Sequence, residues 1–243
     1  MHRFFASPSQ IDSGNVHLTG DDVKHITKVL RLKPGDKLSI CDGNKTDYIC
    51  TITDCGKDSV NLSIDSVQEN KNESNIEITL FQGFPKGDKL DYIIQKSVEL
   101  GVCSVVPVAM KRSVAKANKE DSRLIRRQRI AEEAAKQCMR GIIPKAEECI
   151  SYKDMLSRIK DFDLCILPYE NETSNRLKDL IQSRTDAVKI AVIIGPEGGF
   201  EEEEVEMATK EGACTVGLGP RIMRCETAPI AAISAVMYEL GDW

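Results

Sequence analysis

The stretch Val188-Lys189-Ile190-Ala191-Val192-Ile193-Ile194-Gly195-Pro196-Glu197-Gly198-Gly199-Phe200 decides the fold. The apolar run Ile190 to Ile194 is too short for a helix and shows no polar alternation. It reads as a strand buried on both faces, the kind found in parallel sheets. Three glycines and a proline in the next six residues make a tight turn, poor in side chains, that a ligand can approach closely. A helix from about Glu201 to Glu211 follows. Its acidic first turn suits a helix N-terminus but would repel a phosphate. A ligand with a positive centre and an aromatic base fits this turn better. A glycine-rich connector with no ligand is the alternative.

Outward from this strand, the pattern alternates. Ile76 to Phe81, Val102 to Ala109, Asp163 to Leu167 and Ala213 to Leu218 read as strands. Asp88 to Leu100, Asp121 to Arg140, Thr173 to Ser183 and Ala228 to Leu240 read as helices. Such alternation predicts an α/β fold with a mostly parallel sheet covered on both faces, and ligands at the carboxyl ends of its strands. The N-terminal part reads differently. Lys37 to Cys41, Tyr48 to Thr53 and Ser59 to Ile64 are short strands separated by turns, which suggests a small β-barrel, preceded by a helix from Asp21 to Leu30. Gln68 to Asn75 holds no apolar residue and reads as a linker between domains 1–70 and 76–243.

A second turn, Leu218-Gly219-Pro220-Arg221-Ile222-Met223-Arg224-Cys225-Glu226-Thr227-Ala228-Pro229, leads into the last helix. Thr227 as a cap and Pro229 in the first turn explain the helix start. They leave Arg221, Arg224 and Glu226 unexplained.

The chain has 243 residues, 41% hydrophobic and 29% charged, the balance of a soluble globular protein. No apolar run approaches the ~20 residues of a membrane span. The N-terminus lacks the pattern of a signal peptide, so a cytoplasmic location is expected. Nine cysteines include no C-x-x-C pair, and only three histidines are present, so no metal site is expected. Buried thiols in a reducing compartment account for the cysteines. A nucleophilic Cys225 beside Arg224 is the alternative. The fingerprints of dinucleotide, P-loop, zincin and serine-hydrolase sites are absent. The net charge of −5 does not suggest a nucleic-acid partner, but Lys111 to Lys145 carries eleven basic and four acidic residues. That block reads either as a footprint for phosphates or as a solvated helix face.

Taken together, Gly195 to Phe200 and Leu218 to Arg224 with Glu226-Thr227-Ala228 resemble the RsmE family, SPOUT-superfamily methyltransferases acting on N3 of a uridine in 16S ribosomal RNA. Lys86-Gly87-Asp88-Lys89, Gln95-Lys96 and Glu99-Leu100-Gly101-Val102 are similar to that family's first catalytic-domain helix. Arg112-Ser113 and Glu133 to Arg140 with Pro144 resemble its basic central helix. Val29 to Leu32 with Gly35-Asp36 and Asp42-Gly43 resembles its N-terminal barrel. Met223 departs from the family's usual leucine, a volume-conserving change.

The resemblance implies a trefoil-knotted C-terminal domain, a PUA-like N-terminal domain that helps hold RNA, S-adenosylmethionine as methyl donor, and a homodimer in which the partner completes each site. It implies contact with that donor by Leu167, Gly195, Gly199, Leu218, Gly219, Ile222, Met223 and Thr227. Arg224, Glu226 and Glu197 are the expected catalytic groups. Arg224 would stabilise charge on a uracil oxygen, and a carboxylate or water would take the N3 proton. Arg31, Arg112, Arg123, Arg126, Arg127 and Arg140 are expected to hold 16S ribosomal RNA in the small ribosomal subunit. A ribose 2'-O-methyltransferase of the same fold and a non-enzymatic RNA-binding assembly factor remain as alternatives.

Overall fold

The computed structural model describes residues 1–113 and 120–243, with the backbone alone for 120–122. Lys116 and Lys119 of the basic block lie outside the described residues, as do the side chains of Glu120 and Asp121. The chain divides into two units. The first is Met1–Glu73 with Ala135–Ile143, and the second is Ser74–Ala134 with Pro144–Trp243.

In the first unit, β1 (His2–Phe5), β2 (Asn15–Thr19), β3 (Lys37–Cys41), β4 (Thr46–Cys55) and β5 (Ser59–Glu69) form one sheet in the order β1-β3-β4-β5-β2. Only the β1–β3 pair is parallel. Alternation along β2 and β5 sends Val16, Leu18, Val60 and Leu62 into a core shared with Phe4, Leu38, Ile40 and Ile52. The segment expected to be one helix from Asp21 to Leu30 is a single turn, α1 (Asp21–Lys24), continued by a wider π-helical turn over His25–Val29.

A buried polar network closes this unit. The Arg3 guanidinium donates to both Asp47 carboxylate oxygens at 3.0 and 2.8 Å and to the Arg140 carbonyl at 2.6 Å. Asn70 donates to Asp47 at 2.8 Å and to the Met139 carbonyl at 3.2 Å. Arg140 in turn binds Glu73 at 2.7 Å, and Glu73 also accepts from the amides of Gly141 and Ile142. The polar stretch 68–75 is therefore not a solvated linker throughout. β5 runs through Glu69, Asn70 is buried, and Glu73 anchors the loop after residue 138. Asn70 and Glu73 face fixed partners, while Gln68, Glu69, Lys71, Asn72 and Asn75 stay exposed.

The second unit holds a sheet in the order β12-β10-β11-β6-β7-β8, with β9 also paired to β7. Its strands are β6 (Glu77–Gly83), β7 (Ser104–Ala109), β8 (Lys145–Ala146), β9 (Ile150–Ser151), β10 (Leu164–Pro168), β11 (Lys189–Ile194) and β12 (Cys214–Val216). Every recorded pairing among them is parallel. The helices are α2 (Lys89–Glu99), α3 (Glu120–Gln137), α4 (Tyr152–Arg158), α5 (Leu177–Gln182), α6 (Glu202–Lys210) and α7 (Thr227–Leu240). The last residues of α3 belong to the first unit.

β11 is buried from Ile190 to Ile194 because both its faces are covered. Ala191 and Ile193 pack with Phe81, Cys165 and Leu167 against Met155 of α4 and Ala208 of α6. α7 packs on β11 and α2 packs on α7. The predicted helix Thr173 to Ser183 shortens to Leu177–Gln182, because Glu172 binds the amides of Ser174 and Asn175 in a turn. No helix among the described residues is long and apolar enough to cross a membrane.

Replacing Asp47 by alanine should leave Arg3 buried without its carboxylate, a loss of about 3–5 kcal/mol for breaking a buried pair. Urea unfolding followed by circular dichroism should show a clear fall in midpoint. Lys37→Ala, which removes the exposed Lys37–Asp65 pair at 3.2 Å, should change stability by less than about 1 kcal/mol.

Candidate active site

The turn after β11 is built from backbone. Gly199 has φ of 69° and its amide closes the turn on the Pro196 carbonyl at 2.9 Å. A Cβ on Gly195 would stand 3.2 Å from the Gly199 carbonyl carbon and from the Phe200 ring, so the turn folds closely upon itself. The acidic start of α6 then has a local purpose. Glu201 and Glu204 form a capping box, and buried Glu204 also accepts from the Lys111 amide at 2.8 Å. Arg112 donates to Glu201 and to the Gly198 carbonyl, each at 2.9 Å, and so braces the turn from outside.

This turn, the segment 217–226 after β12 and the loop 168–176 after β10 surround a cavity of about 790 Å³. It lies at the carboxyl ends of three adjacent parallel strands, where such sheets bind ligands. Gly195, Gly199, Leu218, Gly219, Ile222 and Met223 line it, as do Glu197, Arg224 and Glu226. Leu167 does not. It is fully buried in the core, and its successors Pro168, Tyr169 and Glu170 reach the cavity instead.

Thr227 is also displaced from its expected place. α7 begins at Thr227 with Glu226 in the capping position and no side-chain cap. Thr227 lines a smaller adjoining cavity of about 460 Å³ with Lys89, Tyr92, Glu226 and Ile230. Among the described residues no cluster suited to a metal ion is found.

One charged cluster stands on the cavity wall. The Lys89 ammonium is 3.0 Å from Glu197 Oε1 and 3.7 Å from Glu226 Oε2. Glu197 also accepts from the Lys86 amide at 3.0 Å. Burial would raise the Glu197 pKa, but the Lys86 and Lys89 bonds outweigh it and lower it. Glu226 behaves alike: burial raises its pKa, and the Cys225 thiol, its own amide and Lys89 bring it below the ordinary value. Lys89 is held charged, chiefly by its bond to Glu197. Sequence reading missed Lys89 as a site residue. Only its place in the Lys86 to Lys89 segment marked it, because nothing local says that the start of α2 lies beside the β11 turn.

The comparisons with known proteins agree with this geometry. Residues 72–237 match the model of an RNA methyltransferase domain, and residues 18–65 match that of an RNA methyltransferase PUA domain. Ribosomal RNA small subunit methyltransferase E of Bacillus subtilis is 36% identical, over 98% of this chain and 97% of the relative. The chain belongs to the ribosomal RNA small subunit methyltransferase E family. That family's protein from Neisseria gonorrhoeae, in a crystal structure bound to S-adenosyl methionine, is 34% identical, with a TM-score of 0.91 over 100% of this chain and 99% of the other. A putative methyltransferase of Legionella pneumophila, in complex with the same cofactor, is 29% identical, with a TM-score of 0.89 over 99% and 98%. The fold is thus that of the SPOUT methyltransferases, with an RNA methyltransferase PUA domain at its N-terminus.

Within this family fold, the six arginines expected at RNA divide. Arg127 and Arg140 are 5% and 4% exposed and are not available to phosphates. Arg127 lies over the Phe84 ring at 5.1 Å, and Arg140 is spent on Glu73. Arg112 braces the glycine turn, and Arg126 is paired with Asp91 at 2.6 Å while staying largely exposed. Arg31 and Arg123 are exposed.

Cys225 is buried, and its thiol donates to Glu226 at 3.2 Å. Burial first, and then that bond, push its pKa up to about 12, which removes the basis for a nucleophilic thiolate. At neutral pH, iodoacetamide should label Cys225 no faster than core Cys165, as peptide mapping would report. Rapid labelling of Cys225 would contradict this.

Proposed function

We propose that this chain transfers a methyl group from S-adenosylmethionine to N3 of a uridine in the 16S ribosomal RNA of the small subunit, acting as a cytoplasmic homodimer. The observation that carries this reading is the Lys89–Glu197–Glu226 cluster on the wall of a cavity built from backbone-rich turns. The cavity's volume of about 790 Å³ suits a nucleoside-sized ligand. Of the four carboxylates and four cations in its lining, Glu170 and Glu172 stand in no ion pair among the described residues and suit a positive centre. Both solved relatives described above were bound to this methyl donor. The backbone of Gly195, Gly199, Leu218 and Met223, with Gly219 and Ile222, would hold its adenine and ribose, within the trefoil knot expected of a SPOUT fold.

The bound donor supplies a methyl group already activated on a positive sulfur. The residues of the chain therefore have to position the acceptor and manage its proton. N3 of uracil is protonated and a poor nucleophile, so a base is required, and Glu226 and Glu197 are the carboxylates at hand. Arg224 lines the same cavity and would stabilise charge on a uracil oxygen. Since both carboxylate pKa values are lowered, a base is present at neutral pH and is lost as pH falls through those lowered values. N3 lies on the pairing edge, so the target base must be unpaired or extruded. Of the six arginines expected at RNA, Arg31, Arg123 and Arg126 are exposed and do not brace the glycine turn, and they would contact phosphates. Ile222 and Tyr238, 90% and 71% exposed, are large apolar groups that a second copy would cover.

Unmodified small subunits and naked ribosomal RNA, incubated with the protein and methyl donor, should separate the readings after digestion to nucleosides and mass spectrometry. The product expected is 3-methyluridine. A ribose-methylated nucleoside would overturn the N3 assignment, and no calorimetric binding of the donor would favour an RNA-binding factor. Arg224→Ala should lower kcat by about 10²–10³-fold while leaving donor affinity near wild type. RNA affinity should fall steeply with rising salt, and a flat response would remove the phosphate contacts.

A further inference from the structure

The cavity assigned to the methyl donor shares a wall with its smaller neighbour: Lys89 and Glu226 line both. On the far side of that wall stand Tyr92, Thr227 and Ile230. Tyr92 is 48% exposed, so part of its ring is open to a ligand. The Thr227 hydroxyl is exposed and caps nothing, although it stands at the start of a helix. One cation, one carboxylate, one hydroxyl and one aromatic ring thus surround a space that opens beside the donor pocket.

We infer that this second cavity seats the acceptor base and selects uracil by its pairing edge, with Lys89 and Thr227 donating to the two ring carbonyls, Glu226 accepting the N3 hydrogen and Tyr92 stacking on the ring. The inference rests on the reading of the chain as a uridine N3-methyltransferase. Uracil presents acceptor, donor, acceptor along that edge. An ammonium can only donate, an ionised carboxylate can only accept, and a hydroxyl can donate, which gives the complementary order. Cytosine carries no proton on N3, so its ring nitrogen would face the carboxylate lone pair against lone pair. A site built for a polar partner rejects an analogue that leaves its groups unpaired. Extruded bases are commonly held by such edge contacts together with aromatic stacking.

Lys89 also acts on the chemistry. Glu226 is held ionised by the Cys225 thiol and Lys89, so it is a weak base, whereas N3 of uracil keeps its proton well above neutral pH. Transfer of that proton needs a cation beside the developing anion, and Lys89 is 3.7 Å from the carboxylate that would receive it. Besides Tyr92, the other ionisable groups acting here are Glu197 beside Lys89, the neutral Cys225 thiol, and Arg224 in the donor cavity. The Arg224 charge helps lower the Glu226 pKa and would add to the effect of the hydrogen-bond donor on one uracil carbonyl. The N3 proton passes to Glu226, and the electron pair it leaves forms the new bond to the methyl carbon. The pair of the broken carbon–sulfur bond stays on sulfur. Lys89 is thereby a catalytic residue, touching the base whose charge it offsets.

The test uses the full chain with unmodified small subunits and follows single-turnover formation of 3-methyluridine across pH, with calorimetric affinity for S-adenosylmethionine as a second readout. Lys89→Met should slow methylation about 10²–10³-fold at neutral pH. Its rate should climb with pH as the base ionises unaided, where the wild type levels off. Lys89→Arg, which keeps a charged donor, should restore most of the rate. Thr227→Val should slow methylation with donor affinity within a few-fold of wild type. If Lys89→Met fails to bind the donor, Lys89→Arg and Thr227→Val decide the matter alone. Wild-type rates and pH profiles in these variants, while the wild type makes 3-methyluridine, would overturn the base site and leave the functional reading intact. A wild-type protein that makes no 3-methyluridine would overturn both.

Discussion

The Glu197 carboxylate accepts at once from the amide of Lys86 and the ammonium of Lys89, and much of the site hangs on that pair of bonds. The turn that carries Glu197 is rich in glycine, and glycine loses more conformational freedom on folding than any other residue. Such a turn needs anchors. Glu197 supplies one by tying it to the start of α2. Gln82 at the end of β6 supplies another by donating to the Gly195 carbonyl at 3.3 Å, and Arg112 grips the Gly198 carbonyl from outside. The turn is thus held on three sides while its inner face stays bare backbone. The same bond that steadies the turn brings the ammonium of Lys89 to the wall between the two cavities.

The parts of this arrangement that the sequence makes legible are those with a local cause. Ile190 to Ile194 reads as a buried strand because both its faces are covered, and the glycines after it read as close approach because the backbone there is bare. What escapes is decided by partners distant in the chain. Arg140 looks like a phosphate contact until Glu73, 67 residues earlier, takes its guanidinium. The polar stretch around Asn70 looks like a linker until Asp47 and Met139 take its amide. Leu167 precedes the loop that lines the cavity, and only the strand's alternation between faces tells that it points into the core. Thr227 has the composition of a helix cap, but the helix starts one residue sooner than a threonine cap requires.

Charge shows the same divide. The basic block from Lys111 to Lys145 reads as one surface, yet its described arginines serve several ends. One braces a glycine turn, one rests on a phenylalanine ring, one locks the first unit, and one pairs with an aspartate on α2. Net charge over a window counts cations without saying which are already neutralised by a neighbour. Several of them are, and exposed cations such as Arg123 in the block and Arg31 outside it are the ones with electrostatic reach toward a polyanion.

The first unit is discontinuous, taking Ala135–Ile143 from beyond the start of the second. During synthesis from the N-terminus, Arg3 and Asp47 can meet early, but Glu73 must wait for Arg140 and the amides of Gly141 and Ile142 to leave the ribosome. Roughly a quarter of the way into the chain the sheet is complete while its polar seam is still open. The N-terminal unit therefore cannot finish folding as an independent module ahead of the rest. Its last hydrogen bonds form only after β6, α2 and β7 have been made, so the maturation of the RNA methyltransferase PUA domain is timed by the synthesis of the domain that follows it.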